Sequence, residues 1–332
     1  MSFLLTAVRR QPGTRALARL AVALSTTVSF ASSSNSSGTC AADHVFRFTL
    51  ADSFAAGRDS KVLRFALPDT LPSLPRPAPS GVKVLFDGVD EATGEAKVLE
   101  KSYSPVSLPS TRGFFDLLVK AYPPRPGGGV GGFLCGLEPG DTAAMKVKPA
   151  RIIHGSEAVA GRWDSLGFVG GGTGVAPFVQ IIRELLEGHP GDATQLSLLS
   201  VNREEGDVLM RAEIDSLAAR FPARFQVTYL FTRQYAPPLP TGGAGAWGGA
   251  VVVSGRGSVE LARQALPPPS SSRGGGGTTM VMVCGTDGFV EHWSGAVTRV
   301  VDAATRKKRK VQGPVTGLLG EAGYSEAEVY KF

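Results

Sequence analysis

The stretch Leu166-Gly-Phe-Val-Gly-Gly-Gly-Thr-Gly-Val-Ala-Pro177 decides the fold of this chain of 332 residues. It opens with an apolar run, Leu166–Val169, that is typical of a buried strand, and continues with the glycine-rich Gly170–Gly174. Apolar residues then recur at helical spacing, with Pro177 in the first turn: Val175, Phe178, Ile182 and Leu185. A helix that begins after glycines presents unpaired N–H groups to a phosphate. The stretch therefore predicts a phosphate-binding turn, and a glycine-rich turn without a ligand is the alternative left open.

Downstream of this turn, strand and helix patterns alternate. The predicted strands are Leu196–Val201, Phe225–Phe231 and Met280–Cys284, and the predicted helices are Asp207–Phe221 and Thr286–Ala304. Ser325 and Glu328 have the spacing of a capping box. Strands that alternate with helices predict a parallel sheet with crossover helices. We therefore expect a Rossmann-like α/β nucleotide-binding domain over residues 161–332.

Upstream of residue 155 the pattern is that of short strands. Runs rich in Val, Phe and Leu are separated by clusters of Pro, Gly and Ser, and they lie at Val45–Leu50, Lys61–Leu67, Lys83–Phe86 and Phe114–Tyr122. This pattern predicts an antiparallel β-barrel or sandwich over residues 43–155. By composition, Pro123–Gly132 is a flexible glycine-rich loop and Pro267–Thr279 is a low-complexity surface insertion.

The composition excludes several classes of protein. Hydrophobic residues make up 42% of the chain and charged residues 19%, which is typical of a globular protein. The three cysteines are too few for a disulfide scaffold, and no pair has the spacing of a metal site, so we expect no metal. No apolar run is long enough to cross a bilayer, so any membrane association would not use a clear transmembrane span. We expect a monomer.

Residues 1–42 have the composition of an organellar transit peptide. They contain Arg9, Arg10, Arg15 and Arg19, are rich in Ser, Thr and Ala, and lack Asp and Glu. We therefore expect a disordered leader that directs import into the mitochondrion. A plastid is the alternative destination, and a disordered N-terminus that is not a targeting signal is the simplest interpretation.

The basic charge is distributed unevenly. Removing the four leader arginines lowers the net charge from +6 to about +2, so the charge alone gives little support for nucleic-acid binding. Arg306–Lys310, with the sequence RKKRK, is a solvated loop or a docking patch for an acidic partner. We expect no nucleic-acid partner.

Two further motifs accompany the glycine-rich turn. Lys101-Ser-Tyr-Ser104 combines a cation, an aromatic face and hydroxyl groups that suit a flat, anionic cofactor. Cys284-Gly285 ends a predicted strand, and ligands of open parallel sheets bind beyond the carboxyl ends of the strands. Gly285 would let a flat ring approach the backbone, with Cys284 as its polarizable wall, although a lone cysteine there is often only a small apolar residue.

The order of these motifs resembles the flavin-dependent pyridine-nucleotide reductases of the ferredoxin-NADP reductase superfamily, and NADH-cytochrome b5 reductase in particular. The resemblance covers residues 45–332 and implies an FAD-binding barrel followed by an NAD(P)-binding domain. Lys101–Ser104 is similar to the family's Arg-x-Tyr-Ser/Thr motif, with Lys in place of Arg. The resemblance implies that Tyr103 packs on the isoalloxazine ring, that Ser104 lies near flavin N5 and that Lys101 neutralises the pyrophosphate. It also implies FAD contacts from Ser102, Leu118, Lys120, Tyr122, Gly129, Val130 and Gly131, where Gly131 replaces the family's usual Ser.

The nicotinamide nucleotide site follows from the same resemblance. Gly170–Pro177 matches the family's nucleotide loop, which implies contacts from Gly171, Gly172, Thr173 and Gly174. Cys284, Gly285 and the C-terminal Phe332 match its nicotinamide side, but Thr286-Asp287 stands where the family has prolines. Thr232-Arg233 stands where NADH-specific members have an acidic residue that binds the ribose hydroxyls. This change predicts that NADPH is accepted as well as NADH.

The resemblance implies hydride transfer from NADH or NADPH to FAD and then single-electron transfer to a haem protein such as cytochrome b5. Ser104, Thr173 and Cys284 would shape the site of transfer, where the cofactors carry the redox chemistry. Ferredoxin, a quinone or a c-type cytochrome is the alternative acceptor. Because Lys101, Gly131 and Thr286-Asp287 depart from the family pattern, a flavin-free nucleotide-binding or assembly protein is the alternative from another class.

Overall fold

The computed structural model describes residues 44–75, 77–90, 92–122, 129–233, 250–273, 276–301 and 308–332. The expected leader therefore lies outside the described residues, as do most of Pro123–Gly132 and the first residues of the RKKRK run. No helix in the described part of the chain is long and apolar enough to cross a membrane.

The first lobe is a six-stranded antiparallel sheet with one short helix. Its elements are β1 (Val45–Ala55), β2 (Ser60–Ala66), β3 (Gly81–Val89), β4 (Ala96–Tyr103), β5 (Phe114–Lys120), α1 (Val130–Cys135) and β6 (Thr142–Lys148). The strand order is β4-β3-β6-β1-β2-β5. An antiparallel bridge between Pro105 and Leu117 links the chain after β4 to the opposite edge strand β5. Inward-facing apolar side chains such as Phe48, Leu63 and Phe115 fill the core, as the alternation of apolar residues along the strands predicts.

The second lobe is a six-stranded parallel sheet flanked by helices. Its elements are β7 (Ser165–Gly171), α2 (Ala176–Arg183), β8 (Gln195–Asn202), α3 (Arg211–Arg220), β9 (Phe225–Phe231), β10 (Val251–Ser254), α4 (Val259–Ala265), β11 (Thr279–Cys284), α5 (Asp287–Ser294), the hairpin β12 (Thr298–Val301) and β13 (Lys308–Val311), α6 (Gly317–Ala322) and β14 (Val329–Lys331). The strand order is β10-β9-β8-β7-β11-β14. The two lobes agree with the predicted fold class, a β-barrel-like domain followed by a Rossmann-like domain. The expected capping box of Ser325 and Glu328 is also present.

Two predicted helices are wrong in extent. The helix predicted over Thr286–Ala304 ends at Ser294, and the chain continues into the β12–β13 hairpin. Gly295 has a φ of 85°, which a helix cannot continue, and the β-branched residues that follow favour a strand. The helix predicted over Asp207–Phe221 begins only at Arg211, because Met210 adopts a left-handed φ of 57°.

Two low-complexity segments are more ordered than their composition predicts. Gly131 and Gly132, expected in a loop, lie in α1. Pro267–Thr279 is packed where it is described, since the Tyr324 hydroxyl donates to Pro267 O (2.6 Å) and Thr279 Oγ1 donates to Pro268 O (2.9 Å). The bond to Pro267 comes from a residue 57 positions away in sequence, which composition cannot reveal.

Candidate active site

A cleft of about 580 Å³ lies where the two lobes meet, at the carboxyl ends of β7, β8 and β11. This is the place where open parallel sheets bind their ligands. The cleft brings together most of the predicted site residues: Lys101, Ser102, Tyr103, Ser104, Leu118, Lys120, Tyr122, Gly171, Gly172, Thr173, Gly174, Thr232, Cys284 and Gly285. Residues separated by more than 180 positions in sequence therefore share one cavity.

The barrel side of the cleft is built on the end of β4. The Tyr103 hydroxyl is buried, and within the described part of the chain it has no hydrogen-bond partner. Burial raises the pKa of Tyr103, so the hydroxyl stays protonated and can donate to a ligand. The Lys101 ammonium lies 5.5 Å from the centroid of the Tyr103 ring and 5.3 Å from that of Tyr122. An unsatisfied buried donor beside a cation suits a cofactor with hydroxyl and phosphate groups, as FAD has.

Gly131 is required by the packing of α1 against β5. A Cβ atom at this position would lie 2.7 Å from the carbonyl oxygen of Lys120, so no side chain fits without a shift of the backbone. Gly131 lies beside Tyr122, and none of Gly129, Val130 and Gly131 lines the cleft. Their predicted contacts with FAD therefore remain predictions, whereas the absence of a Ser at position 131 has a steric cause.

The nucleotide loop and the end of β11 are in direct backbone contact. A Cβ atom on Gly174 would lie 2.1 Å from Cys284 O, and one on Gly285 would lie 2.4 Å from the ring of Phe289. Both positions therefore require glycine. This close approach places the Thr173 loop and the Cys284 strand end side by side, as two walls of one half of the cleft.

Cys284 contributes a thiol that stays protonated. Burial raises its pKa to about 11, although the positive charges of Arg151 and Lys310 act in the opposite direction. At neutral pH the side chain is therefore a neutral, polarizable wall and not a nucleophile.

The far end of the second half of the cleft carries basic side chains. The Arg233 backbone N–H donates to Arg203 O (2.9 Å), so the two residues are neighbours. Thr232 and Arg203 line the cleft, whereas Arg233 is exposed and lies just outside the lining. Thr232 Oγ1 donates to Asn202 O at 3.3 Å. No carboxylate occupies residues 231–233, where the family's NADH-specific acid would stand.

Two predicted site features have structural explanations. Thr286 is the N-cap of α5, and Asp287 opens that helix, where a carboxylate is favoured by the helix dipole. Asp287 is exposed, forms an ion pair with Arg299 (3.0 Å) and does not line the cleft. Phe332 also lies outside the lining, where it packs on Phe178 with ring centroids 5.6 Å apart.

Several residues that line the cleft were not among the predicted contact residues: Ala176, Pro177, Val201, Asn202, Arg203, Asp207, Leu209, Thr286 and Phe289. Most of them follow directly after the ends of parallel strands or the nucleotide loop. Their position after a strand end was the available signal, because that edge of an open sheet is where ligands bind.

The fold and the cleft define a two-lobe protein that can hold a flavin and a nicotinamide nucleotide side by side. Residues 47–151 match the model of the oxidoreductase FAD-binding domain family, and residues 168–294 match that of the oxidoreductase NAD-binding domain family. The chain is 29% identical to NADH-cytochrome b5 reductase 2 of Mycosarcoma maydis over 291 residues, which is 87% of this chain and 73% of that protein. It is 31% identical to an NADH-cytochrome b5 reductase-like protein of Arabidopsis thaliana, over 73% of this chain and 62% of that protein.

A solved structure shares the fold. The cytochrome b5 reductase domain of Ulva prolifera nitrate reductase aligns with a TM-score of 0.65 at 22% identity, over 88% of this chain and 98% of that one. The chain is thus a cytochrome-b5-reductase-like member of the ferredoxin-NADP reductase superfamily, and an NADH-dependent flavin oxidoreductase.

Proposed function

We propose that this protein oxidises NADH with FAD bound in the cleft and delivers the electrons one at a time to a b5-type haem protein. The observation that carries the proposal is the single cavity shared by the flavin motif, which ends at Tyr103 and Ser104, and the nicotinamide walls at Thr173 and Cys284. The relatives are NADH-cytochrome b5 reductases, which supports both the donor and the acceptor.

FAD supplies the capacity to accept a hydride and to release electrons singly. The work of the chain is to hold two rings with their reacting atoms about 3–3.5 Å apart. Tyr103 offers a hydroxyl donor, and Lys101 offers a positive charge for a phosphate group. The backbone at Gly174 lies close to the backbone at Gly285, which keeps this half of the cleft narrow. Since no histidine lines the cleft among the described residues, no general base is assigned.

The test of this function is an anaerobic titration of the purified protein with NADH. We expect a yellow protein whose flavin absorbance is bleached by NADH and restored by oxidised cytochrome b5. A colourless protein that stays inert when FAD is supplied would instead favour the flavin-free alternative.

A basic rim beside the cleft supports an acceptor with an acidic face. The rim consists of Lys148, Arg151 and Lys310. Lys148 Nζ donates to Ser102 Oγ (3.3 Å) in the cleft wall, and burial together with the charges of Arg151, Lys83 and Lys310 lowers the pKa of Lys148. Cations this close together attract acidic surfaces and repel basic ones, which disfavours an acceptor with a basic face.

Reduction of cytochrome b5 should therefore slow with rising salt, while flavin reduction by NADH should not. Arg151→Gln and Lys310→Gln should each lower kcat/KM for cytochrome b5 severalfold. Arg47→Gln, an exposed change on β1, is the matched control. Equal effects of all three changes would remove the support that the rim gives to this acceptor.

NADPH is proposed as a second donor. Arg203 and Arg233 lie together where a carboxylate would otherwise repel a 2′-phosphate. We expect Arg233→Asp to shift the ratio of kcat/KM values toward NADH by tenfold or more, whereas Arg263→Asp on α4 should leave it unchanged. An unchanged ratio in Arg233→Asp would contradict the assignment.

The mitochondrion is proposed as the site of action. The support is the acid-free leader with its four arginines. Residues 1–42 fused to a fluorescent protein should enter mitochondria, and replacement of the four arginines by glutamine should leave the fusion in the cytosol. Import into a plastid, or no import of the unchanged leader, would contradict the proposal. The monomeric state stays a prediction.

A further inference from the structure

Gln180 is a fully buried polar side chain on α2 that joins the two lobes. Its solvent exposure is 0%. Its amide oxygen accepts a hydrogen bond from the Ser80 backbone N–H (2.8 Å), and its amide nitrogen donates to Ser80 Oγ (3.0 Å) and Ser107 O (2.9 Å). Both partner residues belong to the barrel lobe and are themselves buried. Because the amide is bonded through both its oxygen and its nitrogen, a shift of α2 relative to the barrel segments would leave a buried donor or acceptor unpaired. These bonds therefore fix both the orientation and the distance of α2 relative to those segments.

The two segments that Gln180 connects carry the two halves of the cleft. On one side, α2 begins directly after the loop that contains Thr173, and its first residues Ala176 and Pro177 line the cleft. On the other side, Ser107 lies three residues after Ser104, which lines the flavin side. The segment after Ser104 is held in turn by β5, since the Val106 N–H donates to Asp116 O (2.9 Å).

Other contacts also join the lobes, among them the exposed Arg58–Glu204 ion pair (2.7 Å) and a set of apolar contacts. Val106 and Leu118 of the barrel lobe belong to the same apolar cluster as Val175, which precedes α2, and Phe178 of α2. Apolar contacts are non-directional and tolerate small sliding movements. The nicotinamide walls are held against each other by the close backbone contact of Gly174 with Cys284.

We propose that Gln180 is a positioning residue for hydride transfer: its hydrogen bonds across the lobe junction set the distance between the nicotinamide walls and the flavin segment. The inference rests on the proposed function and deepens it. Because displacement of reacting groups by about 1 Å can cost about 10²-fold in rate, loss of these bonds should act on the transfer step itself. Binding of either cofactor should change far less, since Gln180 does not line the cleft.

The test uses stopped-flow reduction of the FAD-loaded, full-length protein by NADH. Gln180→Met keeps the length of the side chain and removes the bonds. We expect the limiting rate of flavin reduction to fall about 10- to 100-fold, with the NADH dissociation constant within about threefold of the wild type. Tyr229→Phe is the control, because it removes a partly buried hydrogen bond (Tyr229 Oη to Asp215, 2.7 Å) inside one lobe. It should lower the melting temperature without slowing flavin reduction.

A second readout does not depend on activity. Hydrogen exchange should become faster at the Ser80 amide and across residues 104–107 in Gln180→Met, and it should stay unchanged there in Tyr229→Phe. Should Gln180→Met fail to fold, Gln180→Glu decides the question when it is measured above the pKa of the introduced carboxyl group, since the carboxylate still accepts from the Ser80 N–H but has no donor for Ser107 O.

The outcomes separate the two claims. A limiting rate equal to that of the wild type, or a change in the NADH dissociation constant alone, would overturn the positioning role, as would unchanged exchange over residues 104–107. A wild-type flavin that NADH cannot reduce would overturn the proposed function itself.

Discussion

Gly174→Ala is the substitution with the most sharply defined consequence for the cleft. The added Cβ atom would lie 2.1 Å from Cys284 O, 2.5 Å from its carbonyl carbon and 2.9 Å from the Gly285 nitrogen. All three are backbone atoms at the end of β11, so no side-chain rotation relieves the overlap. Because ordinary contacts of a Cβ atom are about 3.4 Å or longer, the two segments must separate by about 1 Å.

This separation widens the slot between the two nicotinamide walls. A misplacement of that size can cost about 10²-fold in the rate of a positioned reaction. Forcing a methyl group into packed backbone also destabilises the fold by about 1–3 kcal/mol. We therefore expect flavin reduction at saturating NADH to slow by about 10²-fold, with a modest loss of thermal stability and with FAD still bound.

Anaerobic stopped-flow measurement of flavin reduction is the assay, with Gly288→Ala as the matched control. Gly288 follows the same strand end, but no atom would lie within 4 Å of its added Cβ. That variant should keep the wild-type rate and gain slightly in stability, as alanine usually does in a helix. If Gly174→Ala were to retain the wild-type rate while remaining folded, the close backbone contact would have no role in positioning.

Three further predictions follow from the same structure. Gly131→Ser should lower the retention of FAD and cost about 1–3 kcal/mol of stability, because its Cβ would lie 2.7 Å from Lys120 O. Gly132→Ala is the control, since nothing lies within 4 Å of its added Cβ, and it should change neither property. Thermal melting and flavin fluorescence measure the two effects. Iodoacetamide at pH 8 should alkylate Cys284 only slowly, since a pKa of about 11 leaves about 0.1% of the thiol as thiolate. Rapid alkylation of Cys284, detected by peptide mapping, would contradict this prediction. Burial would raise the pKa of Glu328, but hydrogen bonds from serine and backbone donors outweigh it and hold the pKa below the usual 4.5. The stability lost in Glu328→Gln, about 1–3 kcal/mol at pH 7, should therefore shrink as the pH falls below 4.5 and through the lowered pKa of Glu328. A pH-independent difference in unfolding experiments would refute that sign.

The sequence predicts the nucleotide-binding lobe well because its signals are local. An apolar strand, a glycine turn and an amphipathic helix follow one another in Leu166–Leu185, and each is set by near neighbours. The edge strands β10 and β14 have only four and three residues, so they form strands because they pair with β9 and β11. Such pairing is a property of the folded sheet, and no periodicity in the sequence reveals it.

The parts of the site that sequence reasoning missed are contacts between distant segments. In the sequence, Gln180 is one polar residue in an apolar helix. Only the fold shows that its side chain reaches Ser80, which lies one hundred positions away. The basic rim likewise combines Lys148 and Arg151 with Lys310 from a hairpin that was predicted to be partly helical. Charge runs are visible in a sequence, but clusters assembled from three segments are not.

The departures from the family motif at Lys101 and Gly131 have different physical meanings. At position 131 the backbone of Lys120 leaves no room for a side chain, so glycine is a consequence of how closely α1 packs on β5. At position 101 a lysine supplies the positive charge but not the planar fork of arginine, and its ammonium lies near the rings of Tyr103 and Tyr122. The buried Tyr103 hydroxyl lies in the same cleft and has no hydrogen-bond partner among the described residues. If the site no longer bound flavin, the unpaired hydroxyl would bring no benefit, because burying a hydroxyl without a hydrogen-bond partner lowers the free energy of unfolding of the ligand-free protein.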